Sequence, residues 1–339
     1  KRMVRGDIIL EKSGGTPKRP VGIMAFYDSD ALALCSNFNQ VLRFDKGRIL
    51  PRFAFHQLRW LKDRNAFDRY TRKTTGLQNL QMKKLIELKL RVPRIEVQTS
   101  IATTLDEIVG DQRTLQQEIA DLDSLVKSRF VEMFGGALSI ESKWDSSVLK
   151  NCVESLESGK SPSCKNVSRK GFDPGVLKLS ALSSGRFLPG ENKAMLDGET
   201  IIQAKEVKQG DILVARKNTP QLVGSCVLVR EDVTNLMFPD IVFRMHPNDS
   251  VNGEYLVALL SGPSYSSKVR SLAHGSNKSM SNIPKSELAA LSIPLPPLSL
   301  QQEFAAFATQ VDKSRFIAQQ QIEKLQMLYD SLAQDYFGD

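Results

Sequence analysis

The chain is short of the residues that most often carry chemistry. Its 339 residues include four cysteines and three histidines. Cys35, Cys152, Cys164 and Cys226 are scattered without a CxxC pair. That spacing suits neither zinc nor a disulfide framework and reads as a reducing cytoplasm, each thiol serving as a small core hydrophobe. His56, His246 and His274 show no HxxxH or HxH spacing, and each is expected at the surface or in a turn. No run of 18 apolar residues occurs, which excludes a helical membrane span. Lys1 to Asp7 lead straight into a strand-like run, with no signal peptide ahead of it. A phosphate-cradling GxxxxGK[ST] loop is missing, as are the Asn-Pro-Pro-aromatic and Asp-Pro-Pro-Tyr tracts of a base-methylating pocket. Pro239-Asp240 has no acid-x-Lys to complete a nuclease site and reads as a turn before a strand at Ile241–Met245. An enzyme therefore finds little support.

What is present is basic and duplicated. Lys plus Arg number 46 against 38 for Asp plus Glu, a formal net charge of +8. The isoelectric point near 9.2 makes a polyanion the first partner to consider. Hydrophobic residues at 41% permit large cores, and the length suits two domains. The sequence also repeats itself at an offset drifting between 201 and 204 residues. Gly6-Asp7-Ile8-Ile9-Leu10 returns as Gly210-Asp211-Ile212-Leu213-Val214, and Val21-Gly22 as Val223-Gly224. Leu42-Arg43 is matched to Phe243-Arg244, Asn79-Leu80 to Asn282-Ile283, and Val97-Gln98 to Leu300-Gln301. Each copy is one structural unit. The first has no counterpart of roughly residues 141 to 206, and truncation at its N-terminus is the expected reason.

Each copy changes periodicity midway. Short β-like runs come first, at Asp211 to Ala215, Gly224 to Val229 and Asp240 to Met245 in the second copy. A proline brake follows, Leu90 to Pro93 or Ile293 to Pro297, and a helix must start close after it. A 4-3 spacing then picks out Ile101, Leu105, Ile108, Gln112, Leu115, Ile119 and Leu122. Its counterpart in the second copy runs through Phe304, Val311, Arg315, Ile322, Leu325 and Tyr329. A heptad seam of this length must be buried against another helix, and the two copies supply each other's partner. Gln112 and Arg315 interrupt the two seams at the same place, as register-setting polar residues do. Each helix is expected to span about 35 residues, or roughly 50 Å. Antiparallel pairing would set the two globular parts at opposite ends.

The cations gather in loops. Lys12, Lys18 and Arg19 follow a strand in the first copy, and Arg72 and Lys73 precede Gln78. In the second, Lys160, Arg169 and Lys170 crowd a Ser-rich stretch, Arg216 and Lys217 follow the strand equivalent to that before Lys12, and Asn277 and Lys278 lie near its end. Cations neutralise phosphates, while Asn and Gln amides address base edges, so these thirteen residues are the candidate DNA contacts.

The tract Ile293-Pro294-Leu295-Pro296-Pro297-Leu298-Ser299-Leu300-Gln301-Gln302, the run Gly210 to Arg216 and the module opened by Trp144 resemble the specificity subunit of type I restriction–modification systems. The first copy departs from that pattern, with Val92-Pro93-Arg94 for the proline-rich tract and Glu11-Lys12 for Ala215-Arg216. The resemblance implies an α+β chain with two mixed α/β target-recognition domains, residues 1–97 (incomplete) and 141–299. Two long antiparallel coiled-coil helices, residues 98–136 and 300–338, would separate them in a pseudo-twofold repeat. It implies a non-catalytic cytoplasmic protein that reads a bipartite, asymmetric site on double-stranded DNA. The helices would set the spacer and dock two methyltransferase subunits, with restriction–translocase subunits as further members. No cofactor is assigned to this chain, S-adenosylmethionine and ATP belonging to partners. The competing class is a coiled-coil adaptor that binds protein without DNA specificity.

Overall fold

The computed structural model describes residues 2–16, 19–73, 77–135, 143–275 and 280–338. Two helices of 40 residues dominate it, Ile95–Phe134 and Leu298–Phe337. They start three and two residues earlier than expected, because the proline brake releases the chain at once: the second begins directly after Pro297. The chain divides into two compact units, Lys1–Ile119 with Phe316–Asp339, and Ala120–Arg315. Each unit holds one copy's sheets, the start or end of one long helix, and the complementary part of the other.

Unit 1 contains β1 (Ile8–Glu11), β2 (Ser13–Gly15), β3 (Met24–Phe26), β4 (Asn39–Leu42), β5 (Thr71–Lys73) and β6 (Gln78–Leu80). They form two sheets, ordered β3-β1-β4 and β2-β6-β5. Helix Pro51–Asp63 lays Phe53, Ala54 and Leu58 into a core with Ile8 and Leu10. The same core takes Ile101, Leu105 and Ile108 from the first long helix and Tyr329, Ala333 and Phe337 from the second. Arg91 bonds Gly338 O and Gln112 bonds Gln326, so one helix rises in number as the other falls. The pairing is antiparallel. His56 is fully buried rather than exposed: its ring nitrogens lie 2.9 Å from Tyr329 Oη and 2.9 Å from Asp106 Oδ1.

Unit 2 contains β7 (Ser146–Val148), β8 (Val153–Ser158), β9 (Gly175–Leu177), β10 (Asn192–Ala194), β11 (Ile212–Ala215) and β12 (Lys217–Asn218). It continues with β13 (Cys226–Leu228), β14 (Leu236–Met237), β15 (Val242–Pro247), β16 (Ser281–Asn282) and β17 (Ser292–Pro294). The main sheet is ordered β13-β11-β15-β8, a second is β10-β9-β14, and β12-β16 and β17-β7 are ladders. Val126, Phe130 and Phe134 meet Phe304 and Ala308 in its core. Phe130, Phe134, Tyr255 and Phe304 pack with centroids 4.8–5.7 Å apart, four rings whose edge-on pairs add roughly 0.5–1.5 kcal/mol each. Arg129 reaches Glu303 and Asp123 reaches Arg315, again antiparallel.

The seam residues are covered throughout. Ile101, Leu105, Ile108, Gln112, Phe304, Val311, Arg315 and Tyr329 are buried, while Leu115, Ile119, Leu122, Ile322 and Leu325 are half-buried. Gln112 and Arg315 each meet a polar partner at matching heights, Gln326 in one unit and Asp123 in the other.

The frameworks of the two units agree. β1 is the centre of β3-β1-β4 as β11 is of β13-β11-β15, all antiparallel. Gly6 and Gly210 both turn the chain at positive φ, +96° and +89°, where a side chain would be strained. Gln98 and Gln301 are wholly buried. Each Oε1 accepts from a backbone N–H, of Leu50 or Asn252, and each Nε2 donates to the carbonyl of Pro93 or Pro296. This clamp ties the first turn of each long helix to its own globular part.

One match needs correction. Leu42 faces Ile8 across the ladder as Met245 faces Ile212, so Arg43 corresponds to His246, not Arg244. The difference has consequences for the buried aspartate before each central strand. Arg43 chelates Asp7 with two bonds of 2.7 Å and holds its carboxyl below the ordinary carboxylate range. Asp211 accepts from the Lys208 N–H at 2.9 Å but meets its cations only at longer range, Arg244 at 3.5 Å and His246 at 3.6 Å, and burial pushes its carboxyl up. Asp7 thus adds stability that is present above the unfolded carboxylate pKa and is lost as pH falls. For Asp211 the sign reverses, since the native state holds its proton longer than the unfolded chain does. Asp7→Asn is expected to cost about 1–3 kcal/mol at pH 7, and Asp211→Asn to leave the melting temperature equal or higher. Thermal melts of both variants between pH 3 and pH 8 check this, the Asp7→Asn deficit shrinking toward the acid end.

Candidate nucleic-acid interface

In unit 2, four chain segments converge where β8 and β11 leave the main sheet. Gly159 follows β8 and passes so close to the backbone just after β14 that an added Cβ would lie 2.1 Å from Phe238 O, so glycine alone fits. The next residue, Lys160, is exposed and donates its backbone N–H to Phe238 O. Ser161 Oγ is bonded to the Asp240 carboxylate, and the Asp240 N–H donates back to Ser161 Oγ at 3.2 Å. Arg216, at the end of β11, lays its guanidinium over Phe243, 5.3 Å from the ring centre. Its Nε donates to Asn282 Oδ1 at 3.1 Å and its Nη1 to Ser158 Oγ at 3.5 Å. Lys217 opposes Asn282 and Asn218 opposes Ser281 in the β12-β16 ladder. The amide Nδ2 of buried Asn218 has no protein partner. The cluster offers two partly covered cations, a free lysine, hydroxyls and amides on one edge.

Unit 1 builds a smaller counterpart on β2-β6-β5. Lys12 precedes β2, Arg72 and Lys73 lie on β5, and Gln78 opens β6, with Arg72 opposite Asn79 and Lys73 opposite Gln78. Ser13 Oγ bonds Asn79 Oδ1, as Arg216 bonds the equivalent Asn282. Arg72 and Lys73 are exposed, and so is Arg19, whose backbone bonds that of Thr16.

The structure thus gathers Lys160, Arg216 and Lys217 in one unit, and Lys12, Arg72, Lys73 and Gln78 in the other. Gln78 is buried, and its side-chain carbonyl accepts from the Val21 N–H, so it holds a turn. Arg169 stands apart: its Nη1 donates to the carbonyls of Asp173, Thr234 and Asn235, which fixes the base of a loop, while Lys170 beyond it is exposed. Burial lowers the Arg169 pKa from its usual value. Lys18, Asn277 and Lys278 lie outside the described residues. Sequence reasoning did not single out Asn79, Asn282, Ser158, Ser161 or Asp240 as site residues. The recurrence of Asn79 as Asn282 was the available signal for two of them. Among the described residues, no group of three or more His, Cys, Asp or Glu could hold a metal ion, and no helix is long and apolar enough to cross a membrane.

A duplicated α+β unit with paired long helices and basic loop clusters is the architecture of a specificity-domain pair. The family model described as "Type I restriction modification DNA specificity domain" matches residues 3–122 and 141–327, and the chain belongs to that family. It is 28% identical over 160 residues to the type I restriction enzyme EcoEI specificity subunit of Escherichia coli, covering 47% of this chain but only 27% of that relative's length. A putative type I restriction enzyme MjaX specificity subunit of Methanocaldococcus jannaschii is 21% identical over 347 residues, covering 96% of this chain and 76% of that protein. Among solved structures, the S subunit of a type I restriction–modification system from M. genitalium superposes with a TM-score of 0.60 at 15% identity, over 100% of this chain and 85% of the other. A chain from a study of assembly and conformational transition in the type I R-M system gives 0.50 at 17% identity, over 100% and 83%. These two likenesses concern the fold.

Removing the Arg169 guanidinium takes a donor from three carbonyls at once, of which Asn235 O keeps the Gly175 N–H. Arg169→Ala is expected to lower the melting temperature and to speed amide exchange in residues 170–175 and 234–236, read by exchange mass spectrometry.

Proposed function

We propose that this chain is the sequence-reading subunit of a type I restriction–modification assembly, binds double-stranded DNA and carries out no catalysis itself. The observation that carries the reading is that the specificity-domain family matches both copies separately. Residues 1–97 and 141–299 act as the two recognition domains, and residues 98–136 and 300–338 as the spacer helices. Each domain reads one half of a split, asymmetric site. A stiff spacer turns two modest half-site affinities into one tight, spacing-dependent affinity through effective concentration.

Lys12, Arg72 and Lys73 in one domain, and Lys160 and Lys217 in the other, neutralise phosphates, while Asn79, Asn282 and Asp240 are placed beside them to address base edges. Leu125, Val131, Phe316, Ile317, Met327 and Leu328 lie on the long helices outside the seam and are exposed. They supply apolar area for docking two methyltransferase subunits, with restriction–translocase subunits joining that core. S-adenosylmethionine and ATP are held by those partners, and the assembly works in the cytoplasm, where the DNA is.

Phosphate contact predicts that Lys217→Ala weakens binding to all duplexes about equally and reduces the slope of log affinity against log salt by about 0.9. Unchanged affinity and slope in titrations of the assembled complex would remove Lys217 from the interface. Lengthening both long helices by one heptad is expected to change the spacer between half-sites while each half-site sequence stays the same. Methylome sequencing of cells carrying that variant with its methyltransferase reads the outcome directly.

A further inference from the structure

Each globular part is tied to the long helix that starts in it at two heights. The first tie is the glutamine clamp, Gln98 or Gln301, in the first turn. The second is an arginine held between two carboxylates, one on the globular part and one on the long helix. In unit 1, Arg52 lies in the first turn of helix Pro51–Asp63 with its guanidinium over the Phe26 ring. It donates to Asp28 Oδ2 at 2.6 Å and lies 3.5 Å from Asp106. In unit 2, Arg230 follows β13, chelates Glu254 with bonds of 2.6 and 2.5 Å and lies 3.2 Å from Asp312.

The two arrangements match, but with the charges on the globular part exchanged. The clamp glutamines accept from the Leu50 and Asn252 N–H groups, so helix Pro51–Asp63 corresponds to helix Gly253–Ser261 and Arg52 to Glu254. Tyr27 N–H donates to Asp7 O as Val229 N–H donates to Asp211 O, so Asp28 corresponds to Arg230. Unit 1 carries its cation on the helix and its anion after the strand; unit 2 does the reverse. The long helix keeps one sign, Asp106 in one unit and Asp312 in the other. Each of these carboxylates holds further partners: His56 at 2.9 Å for Asp106, and Arg186 at 2.8 Å and Arg315 at 3.7 Å for Asp312. What both units preserve, through opposite choices of residue, is an arginine of the globular part facing a carboxylate of the helix.

Partly exposed ion pairs of this kind add little to stability. Direction is another matter. A body fastened at one point is free to tilt, and fastened at two it is not. Asp106 lies eight residues beyond Gln98 and Asp312 eleven beyond Gln301, or about 12 and about 16 Å along the helix. Across a domain about 30 Å wide, a tilt of about 6–7° moves the far edge by about 3.4 Å, the rise of one base pair.

We propose that Arg52 and Arg230 are positioning residues: each fixes the angle between its globular part and the long helix, and thereby the spacing at which the half-sites are read. The angle is a property of the folded chain alone, whereas its effect on spacing rests on the sequence-reading function proposed above.

The test makes Arg52→Gln and Arg230→Gln in the full chain. Asp28→Asn and Glu254→Gln serve as controls, removing the charge on the globular part while leaving an acceptor for the arginine. Arg230→Gln is expected to speed amide exchange about threefold or more in residues 226–231 and 253–258, with the melting temperature shifted by no more than about 4 °C. Arg52→Gln is expected to act likewise at residues 26–30 and 51–56. Methylome sequencing of cells carrying each variant with its methyltransferase is expected to show more than one spacer length for the two Arg→Gln variants, with unchanged half-sites. The controls are expected to keep the spacer of the unaltered chain. Unaltered exchange, an unaltered spacer in the Arg→Gln variants, equal broadening by the controls, or faster exchange throughout the chain overturns the proposal. If the unaltered chain yields no split motif, it is the sequence-reading function that fails, and the exchange pattern decides whether the arginines seat the globular parts.

Discussion

Everything in this fold depends on the apolar stripe of each long helix being covered by the far end of the other. Ile101, Leu105 and Ile108 begin one helix and are buried with Tyr329, Ala333 and Phe337, which end the second. Phe304 and Ala308 begin the second and are buried with Val126, Phe130 and Phe134, which end the first. Neither copy can close its core with its own residues. The duplication is therefore not two independent domains on a string but a reciprocal loan, in which the start of each long helix is covered by the end of the other, 170 or more positions away in sequence. A half-chain would expose the stripe of a 40-residue helix, and its most economical response would be to find a second half-chain.

The polar residues inside that interface are spent differently in the two units. Unit 1 has the His56–Asp106–Tyr329 chain, with Arg52 3.5 Å from the same Asp106, and a Gln112–Gln326 pair. Unit 2 has Arg315 on Asp123, with Arg186 and Arg230 both reaching Asp312. Arg315 is buried while its partner Asp123 is 45% exposed, so the pair contributes less to stability than to uniqueness of pairing, because the wrong partner strands the Arg315 charge. A copy that paired with its own kind would set Arg315 against a glutamine and Asp123 against another, so the mismatch favours unlike helices.

The long helices were legible because a heptad pattern is local, and a stripe sustained over several turns has one interpretation. The clamp formed by Gln98 and Gln301 was visible only as a repeated letter: nothing in the sequence says that those amides are buried against prolyl carbonyls. The assignment of Arg43 failed by two residues, a full strand period, which alternation cannot detect because both choices put the same face inward. His56 was misplaced on the surface, since its partners Asp106 and Tyr329 lie on two different distant helices. Of the candidate contacts, Gln78 and Arg169 show the limit most clearly. Both are polar residues in loop-like sequence, and both turn out to satisfy backbone groups, a duty that composition does not distinguish from ligand binding.

Gln98 and Gln301 also occupy the heptad position one step before Ile101 and Phe304, so clamp and stripe share a rotational phase. With 3.6 residues per turn, a single inserted residue between clamp and stripe would swing the stripe by about 100°. The head would then be bolted on facing the wrong way even though every contact inside it survived. Drift in this part of the chain is thereby quantised, and gain or loss of sequence is tolerated in whole gear-teeth or not at all.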